Sequence, residues 1–453
     1  MRIHLIVHRF PPVGMGGTEL YTLHLAHGLL ADGHAVAVLT HVEGEGAEVV
    51  VREDSYEGVP VKRLAFVADS GGDLVREEYD NRRVAMAVRR VWETERPDLV
   101  HVTHFGYLST SVAQVATAMG IPWLATLTDF WAICPNSLLL RADDTLCRGP
   151  LGHGVCVPCL TAMGPRGVGY ARLGRVVPPW GWSFAARAAA LPMLRAAPQA
   201  RWLLDLAARA AVIRERLLSA RVILCPGAHA RAMLIDNGYP ADLIVHAPHG
   251  IRHPGALRRS SPIAEGHVLR LGYLGPIARL KGAHLPLDAL AHLGADVPVS
   301  LTYRGRVPPE GAMDAYTRGT LARIAALDRA RHEGPYRQAE LRQVLHALDV
   351  LIVPSLWYEN TPTVIYEAVA AGVPVIASDL GGMRELVEAL RAGWLYPRGD
   401  AAALAALIRD LALDRERVRR VAERLAPVPT FAAHLDRVRA LYADIVGADR
   451  GPR

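Results

Sequence analysis

The chain has 453 residues, 51% hydrophobic and 21% charged, with a formal net charge of +6. That length exceeds one ordinary core and predicts two α/β domains of roughly 200 residues each, and the apolar content excludes a disordered chain. No uncharged apolar run of about twenty residues occurs, and the opening MRIHLIVHRFPP has no signal-peptide core, so no transmembrane helix is expected and the location is read as cytoplasmic.

Residues 3–8, IHLIVH, read as a first strand, and Glu19 to Ala31 as a helix that Gly33 stops. Between them, Gly14, Gly16 and Gly17 let backbone N–H groups approach a ligand. A dinucleotide fingerprint needs a third glycine where Glu19 stands, which argues against an NAD site. AVAVLT is a second strand, residues 49–67 are short strands about a turn at Glu57–Gly58, and Asn81 to Glu95 is a helix before Pro97. DLVHVTH, ending at His101 and His104, and IPWLATLTDF, ending at Asp129, are buried strands on either side of a helix from Ser109 to Met119.

Four cysteines follow in one block: Cys134, Cys147, Cys156 and Cys159. The last two form a CxxC, the usual knuckle of a zinc site. A structural zinc would staple the loop after Asp129 and leave no open position for chemistry. Reduced thiols, or a disulfide or cluster, are the other readings, and a disulfide is disfavoured in a cytoplasm. Cys225, on the apolar run VILCP, reads as core. From Arg166 to Arg221, ten arginines stand against only Asp205 and Glu215, with Trp180, Trp182, Phe184 and Trp202 among them. Segment 165–221 is either a peripheral contact with the inner face of an anionic membrane or a helical face packed on its own domain. No nucleic-acid module is visible. VHAPHGI, ending at Ile251, is a strand, and the polar, breaker-rich HPGALRRSSPIAEG is the linker, so the expected division is 1–252, a linker at 253–266, and 267–428.

The second half opens with the strand LRLGYLG and a loop-to-helix segment, PIARLKGAHLPLDAL. Lys281 there is one of two lysines, with Lys62, in an arginine-dominated chain, and a compact ammonium suits a phosphate. No Walker A motif surrounds it, which excludes an ATPase of that type. VPVSLTYRG is a strand; a helix reaches to about Arg331 and another runs from Arg337 to Ala347. The stretch 351–385 is a β–α–β unit: a buried strand from Leu351 to Pro354, a loop, a helix with Thr361 as cap and Pro362 in its first turn, an end at Gly372, and a strand from Val373 to Ala377. Glu359 in the loop and Glu367 in the helix stand with seven residues between them. Carboxylates suit vicinal hydroxyls and a helix start suits phosphate, so one carboxylate for each ring and a helix end for the diphosphate fit a nucleotide sugar. GWLYPRGD, a helix from Ala401 and a last helix from about Phe431 close the chain.

The stretch SLWYENTPTVIYEAVAAGVPVIASDLGGMRE resembles the Glu-x7-Glu signature of retaining glycosyltransferases of family 4, and the cysteine-rich loop resembles that of one subset of them. The resemblance implies the GT-B fold: two Rossmann-like domains facing a central cleft, with the last helix, 429–448, crossing back onto the first domain. It implies a hexosyltransferase that moves a sugar from a nucleoside diphosphate sugar to a hydroxyl of a glycan, a lipid-linked saccharide or a small-molecule acceptor. The donor would lie against Gly16, Gly17, Arg279, Lys281, Glu359, Asn360, Thr361, Thr363 and Glu367, with Glu359 at the sugar and Glu367 at the ribose. Glu359, Lys281 and Asp129 are the catalytic candidates. Asp129 either orients or deprotonates an acceptor hydroxyl, or caps a helix. The family's histidine before this aspartate is Thr128 here, and its arginine after Gly275 is Pro276, with Arg279 nearby. No Asp-x-Asp occurs, so Lys281, Arg279 and the helix start at Thr361–Thr363 would stabilise the leaving diphosphate without a metal, and no catalytic cofactor is expected. A sugar-nucleotide epimerase and a non-catalytic nucleotide-sugar-binding partner are the alternatives. Donor sugar, base and acceptor stay open.

Overall fold

The computed structural model of the protein describes residues 1–46, 48–68, 74–141, 143–150, 152–163, 177–195, 197–259 and 268–449. They divide into two compact units. The first holds Met1–Pro226, Ala230–Ala247 and Leu435–Arg453; the second holds Gly227–His229 and Pro248–His434. Of the segment expected as a linker, Pro254–Leu257 is a short helix, and 260–266 lies outside the described residues.

In the first unit the strands are β1 (Arg2–Val7), β2 (Ala35–Glu43), β3 (Val50–Tyr56), β4 (Val59–Phe66), β5 (Leu99–Val102), β6 (Trp123–Thr126), β7 (Ile223–Cys225) and β8 (Ile244–His246). They form one sheet in the order β3-β4-β2-β1-β5-β6-β7-β8. Every pair is parallel except the hairpin β3–β4. Its turn uses Glu57 and Gly58 at φ of 47° and 80°, the left-handed pair that matches strand twist in a two-residue hairpin. The central strands are mostly apolar and buried almost along their whole length, as expected where helices cover both faces. Helix Arg82–Glu95 starts where Asn81 accepts the Val84 N–H. The last helix, Phe431–Asp449, packs on this unit from Leu435 onward. A Cβ at Gly28 would lie 2.3 Å from Leu435, Tyr442 shares a 2.6 Å hydrogen bond with His101, and Arg439 grips Asp32 with two nitrogens.

The second unit contains β9 (Leu269–Leu274), β10 (Val299–Arg304), β11 (Ala330–His332), β12 (Val350–Val353), β13 (Val375–Ser378) and β14 (Gly393–Tyr396). The order is β11-β10-β9-β12-β13-β14, all parallel. This is the Rossmann order, whose strand sequence reverses direction between β9 and β12; the first unit reverses between β1 and β5. Ligands of such sheets sit beyond the carboxyl ends of the strands at that reversal, and the candidate residues gather there in each unit. Leu269, Leu271, Val299, Leu301, Val350, Ile352 and Ile376 fill the core beneath.

Candidate functional sites in the two units

In the second unit, the loop after β9 and the loop after β12 meet at the strand-order reversal. Gly282 makes this possible: it has a φ of +65°, and a Cβ there would stand 2.0 Å from the Pro354 carbonyl. The Leu356 N–H donates to the Leu280 carbonyl at 2.8 Å, which joins the two loops. Lys281, in a short 3-10 turn, is thereby delivered to Glu359, 78 residues on in the chain, with Nζ 2.6 Å from Oε1. The same oxygen accepts the Ser355 hydroxyl at 2.8 Å and the Trp357 indole N–H at 3.0 Å, and the ammonium lies 5.4 Å from the Trp357 ring centroid. The Glu359 side chain is 10% exposed and that of Lys281 34%. Arg279 is exposed two residues upstream. Pro276, at the position the family gives to arginine, uses its carbonyl to accept the Tyr273 hydroxyl.

The helix of this β–α–β unit is Thr363–Ala370, with Gly372 at φ +77° just past its end. The expected Thr361 cap is not made. Pro362 takes the cap position with its ring-fixed φ of −68°, no side chain caps the helix, and Thr361 Oγ1 is buried without a hydrogen-bond partner. Thr363 therefore opens the helix with its N-terminal N–H groups uncapped by a side chain, next to Asn360, which is buried. Glu367 lies one turn further. Burial pushes its carboxyl up to about 7, against a smaller downward pull from its hydrogen bond to Gln338. Its charge also acts on the half-buried Tyr336.

In the first unit, the loops after β1, β5 and β6 bring together four ionisable residues, of which the sequence analysis named only Asp129 as a candidate. His104 Nδ1 accepts the Gly106 N–H at 2.9 Å, so its proton is on Nε2, which donates to Asp129 Oδ2 at 3.0 Å. Asp129 Oδ1 accepts the Trp131 N–H. Burial raises the Asp129 carboxyl, but the charge and hydrogen bond of His104 outweigh it and hold it below the ordinary range. The His8 ring lies 4.1 Å from that of His104, tilted by 47°, and reaches Glu19 at 3.3 Å. Burial, then the nearby His104, lower the His8 imidazole; burial raises Glu19, but the His8 contact outweighs it. The Glu19 carboxylate folds over the glycine loop, so a Cβ at Gly16 would stand 2.7 Å from Oε2 and one at Gly14 2.8 Å from Oε1, while Gly17 faces open space. Thr128 shares a 2.6 Å hydrogen bond with Thr18. An imidazole thus reaches Asp129 from the neighbouring strand, although the residue before Asp129 is a threonine. Histidines at the ends of β1 and β5, the strands on either side of the reversal, were the available signal.

Cys134, Cys147, Cys156 and Cys159 line one cavity with Ile133, Leu140 and Leu160. Cys134 donates its S–H to Asn136, Cys147 to the Gly149 carbonyl and Cys159 to the Leu140 carbonyl. Burial pushes the Cys134 thiol up. Among the described residues no three His, Cys, Asp or Glu side chains are grouped as for a metal. Cys225 is buried on β7.

Comparison with known proteins identifies the family and the fold. A family model described as "Glycosyl transferases group 1" matches residues 268–414, and one described as "Glycosyl transferase 4-like domain" matches 16–153; together they span more than half of the chain. The amylovoran biosynthesis glycosyltransferase AmsK of Erwinia amylovora is 41% identical over 76 residues, 16% of this chain and 19% of that one. The chain spans less than half the length of the curated relatives it matches first. Glycogen synthase of Mycobacterium tuberculosis is 25% identical over 446 residues, 94% of this chain and 90% of that one. Among solved structures, sucrose-phosphate synthase from Thermosynechococcus elongatus aligns with a TM-score of 0.62 at 19% identity, covering 99% of each chain. HepE of Anabaena in complex with UDP-glucose aligns at 0.58 and 17%, covering 98% of this chain and 100% of that one. At such identities the structures speak for the fold, which is GT-B. With two Rossmann sheets, the Glu-x7-Glu helix and both family models in place, the chain belongs to the family 4 type of glycosyltransferases.

Proposed function

We propose that the chain is a retaining glycosyltransferase that moves a sugar from a nucleoside diphosphate sugar to an acceptor hydroxyl, with no metal in its chemistry. The observation that carries this reading is the 2.6 Å contact of Lys281 with Glu359 at the strand-order reversal of the second unit, beside an uncapped helix start. A cation and helix N–H groups oppose the charge that grows on the departing diphosphate. In this reading Lys281, Arg279 and the backbone from Thr361 to Thr363 take that charge. Glu359 holds the donor sugar and steadies the oxocarbenium-like ring, Asn360 lines the same loop, and Glu367 takes the ribose diol. Gly16 and Gly17 offer backbone N–H groups to a phosphate in this reading. Attack comes on the face the diphosphate leaves, with the leaving phosphate as base. Asp129, oriented by His104, positions the acceptor hydroxyl.

The names of relatives that act in polysaccharide synthesis favour a glycan or lipid-linked saccharide as acceptor, and the solved UDP-glucose complex makes UDP-sugars the first donors to try. Thermal-shift screening of nucleotide sugars, followed by product analysis, tests the reading. A donor that raises the melting temperature and is slowly hydrolysed, faster with acceptor, supports it. Epimerisation of the donor without any acceptor would overturn it in favour of an epimerase.

For the cysteine cavity we propose a structural part only: Cys134, Cys147, Cys156 and Cys159 would hold a zinc ion that ties down the loop after Asp129. Four thiols line one cavity, although no three of them stand grouped as for a metal in their present positions. Loading requires them to give up their present hydrogen bonds and their protons. One zinc per chain by elemental analysis is expected, and none after purification in zinc-supplemented medium would refute it.

A further inference from the structure

The geometry points to a lipid-docking face on the first unit: the outer stripe of helix Pro179–Ala189 and the turn that follows it rest on an anionic membrane surface. The helix has two apolar stripes where a surface helix has one. Its inner stripe, Trp182, Ala186 and Ala189, is buried, and Trp182 and Ala189 pack with Val157, Leu160, Trp202 and Leu206 from helices His153–Met163 and Pro198–Leu217. Its outer stripe runs through Trp180, Phe184 and Arg187, one turn apart, and exposed Leu191 follows just past the helix end. Trp180 is 75% exposed and Phe184 70%. Met193, in the next turn, is 85% exposed, and Leu194 is also open. Since the inner stripe already anchors the helix to its own domain, the outer stripe is surplus to the fold. Large side chains with an aromatic at the edge are what an interfacial helix inserts at headgroup level.

Charge names the occupant. No aspartate or glutamate occurs from Thr145 to Leu204, against seven arginines. Of the arginines described there, Arg187 and Arg201 are exposed and have no acidic partner among the described residues. Arg195 is exposed and turns its guanidinium to the Ala190 carbonyl. Arg209, by contrast, is buried against Glu78 and Trp131 and belongs to the core. Arg148 pairs with Asp236, whereas Arg187 and Arg195 share the helix and the following turn with the exposed apolar residues, an arrangement that favours anionic headgroups over a neutral apolar partner. Residues 164–176 and 196 lie outside the described residues, and no described helix is long and apolar enough to cross a membrane. The face is independent of the transferase reading, because none of its residues belongs to the candidate sites.

The test uses the full chain with vesicles of phosphatidylcholine alone or with about a third phosphatidylglycerol. Co-sedimentation with the anionic vesicles is expected, weakened by high salt, with a blue shift of tryptophan emission that Trp180→Ser removes. The variant Trp180→Ser/Phe184→Ser/Met193→Ser should bind at least about tenfold more weakly, and Arg187→Glu/Arg201→Glu should lose the preference for anionic lipid. Both variants change exposed positions, and unchanged thermal melting identifies them as folded. Wild type remaining in the supernatant with anionic vesicles, or the triple variant sedimenting like wild type, would overturn the proposal. So would a stable dimer by sedimentation velocity that the triple variant abolishes, since a second copy would then cover the face.

Discussion

Replacing Glu367 with glutamine tests the ribose assignment through pH as well as through loss of affinity. Burial holds the Glu367 carboxyl at about 7, against an ordinary 4.5. A ribose diol donates hydrogen bonds, and an ionised carboxylate accepts them best. The competent fraction of the empty site then rises from about one-tenth at about pH 6 to about nine-tenths at about pH 8. Nucleoside diphosphate should bind about tenfold more tightly at the higher pH, a difference of roughly 1.4 kcal/mol. Binding near pH 6 should also release close to one proton, read by calorimetry in two buffers of different ionisation enthalpy. Stability of the empty protein carries the opposite sign. A carboxyl whose folded pKa lies above its unfolded value costs nothing below about 4.5; the penalty grows with pH and is complete above about 7, at about 3 kcal/mol. Glu367→Gln should therefore melt higher than wild type at about pH 8 and alike at about pH 4, while its nucleotide affinity loses most of its pH slope. The diphosphate's own titration contributes equally to both proteins and cancels in the comparison. Identical affinity-versus-pH profiles for wild type and variant would refute the ribose role.

Lys281→Ala should lower turnover by at least about a hundredfold with little change in melting temperature, because the buried Glu359 carboxylate keeps the Ser355 hydroxyl and the Trp357 N–H as donors; an unchanged rate at saturating donor would remove Lys281 from the diphosphate. His104→Ala and Asp129→Asn should each slow transfer to acceptor while leaving donor hydrolysis and nucleotide affinity near wild type, and His104→Gln, which keeps a donor toward Asp129, should retain more transfer than His104→Ala. Equal loss of hydrolysis and transfer would make the pair structural instead. Gly282→Ala puts a Cβ 2.0 Å from the Pro354 carbonyl in a left-handed conformation, so a loss of about 2 kcal/mol or more in urea unfolding is expected, with turnover falling further than stability as Lys281 leaves Glu359. Wild-type stability and turnover together would refute the role given to that glycine.

The sheets were legible because their strands are short apolar runs bounded by glycine and proline, and the hairpin because Glu57–Gly58 can adopt a left-handed pair. Strand order was not, since pairing between β9 and β12 joins residues about 80 apart with nothing local to mark it. Glu359 and Lys281 stood out singly, one by its spacing from Glu367 and the other by its rarity; their contact is a property of the loops that Gly282 brings together. Thr361 was misread as a cap because Thr-Pro is a common helix opening, yet the proline's fixed φ here takes the cap position itself. Glu19 read only as the failure of a glycine fingerprint, whereas its carboxylate covers Gly14 and Gly16 and is held there by His8. His104 read only as the end of a strand for a similar reason. The local word Thr128-Asp129 lacks a histidine, and the one that bonds Asp129 arrives from the next strand, 25 residues earlier.

The crowding of three donors onto a single oxygen of Glu359 bears on what happens after transfer. An empty pocket whose ammonium already has a counter-ion carries no bare cation to trap passing anions. When the spent nucleotide is ready to leave, the carboxylate competes with it for the same ammonium and shortens its stay. Glu359→Gln would then bind product longer, so a larger burst relative to the steady-state rate would expose an ejector function that a sugar-holding role alone does not require.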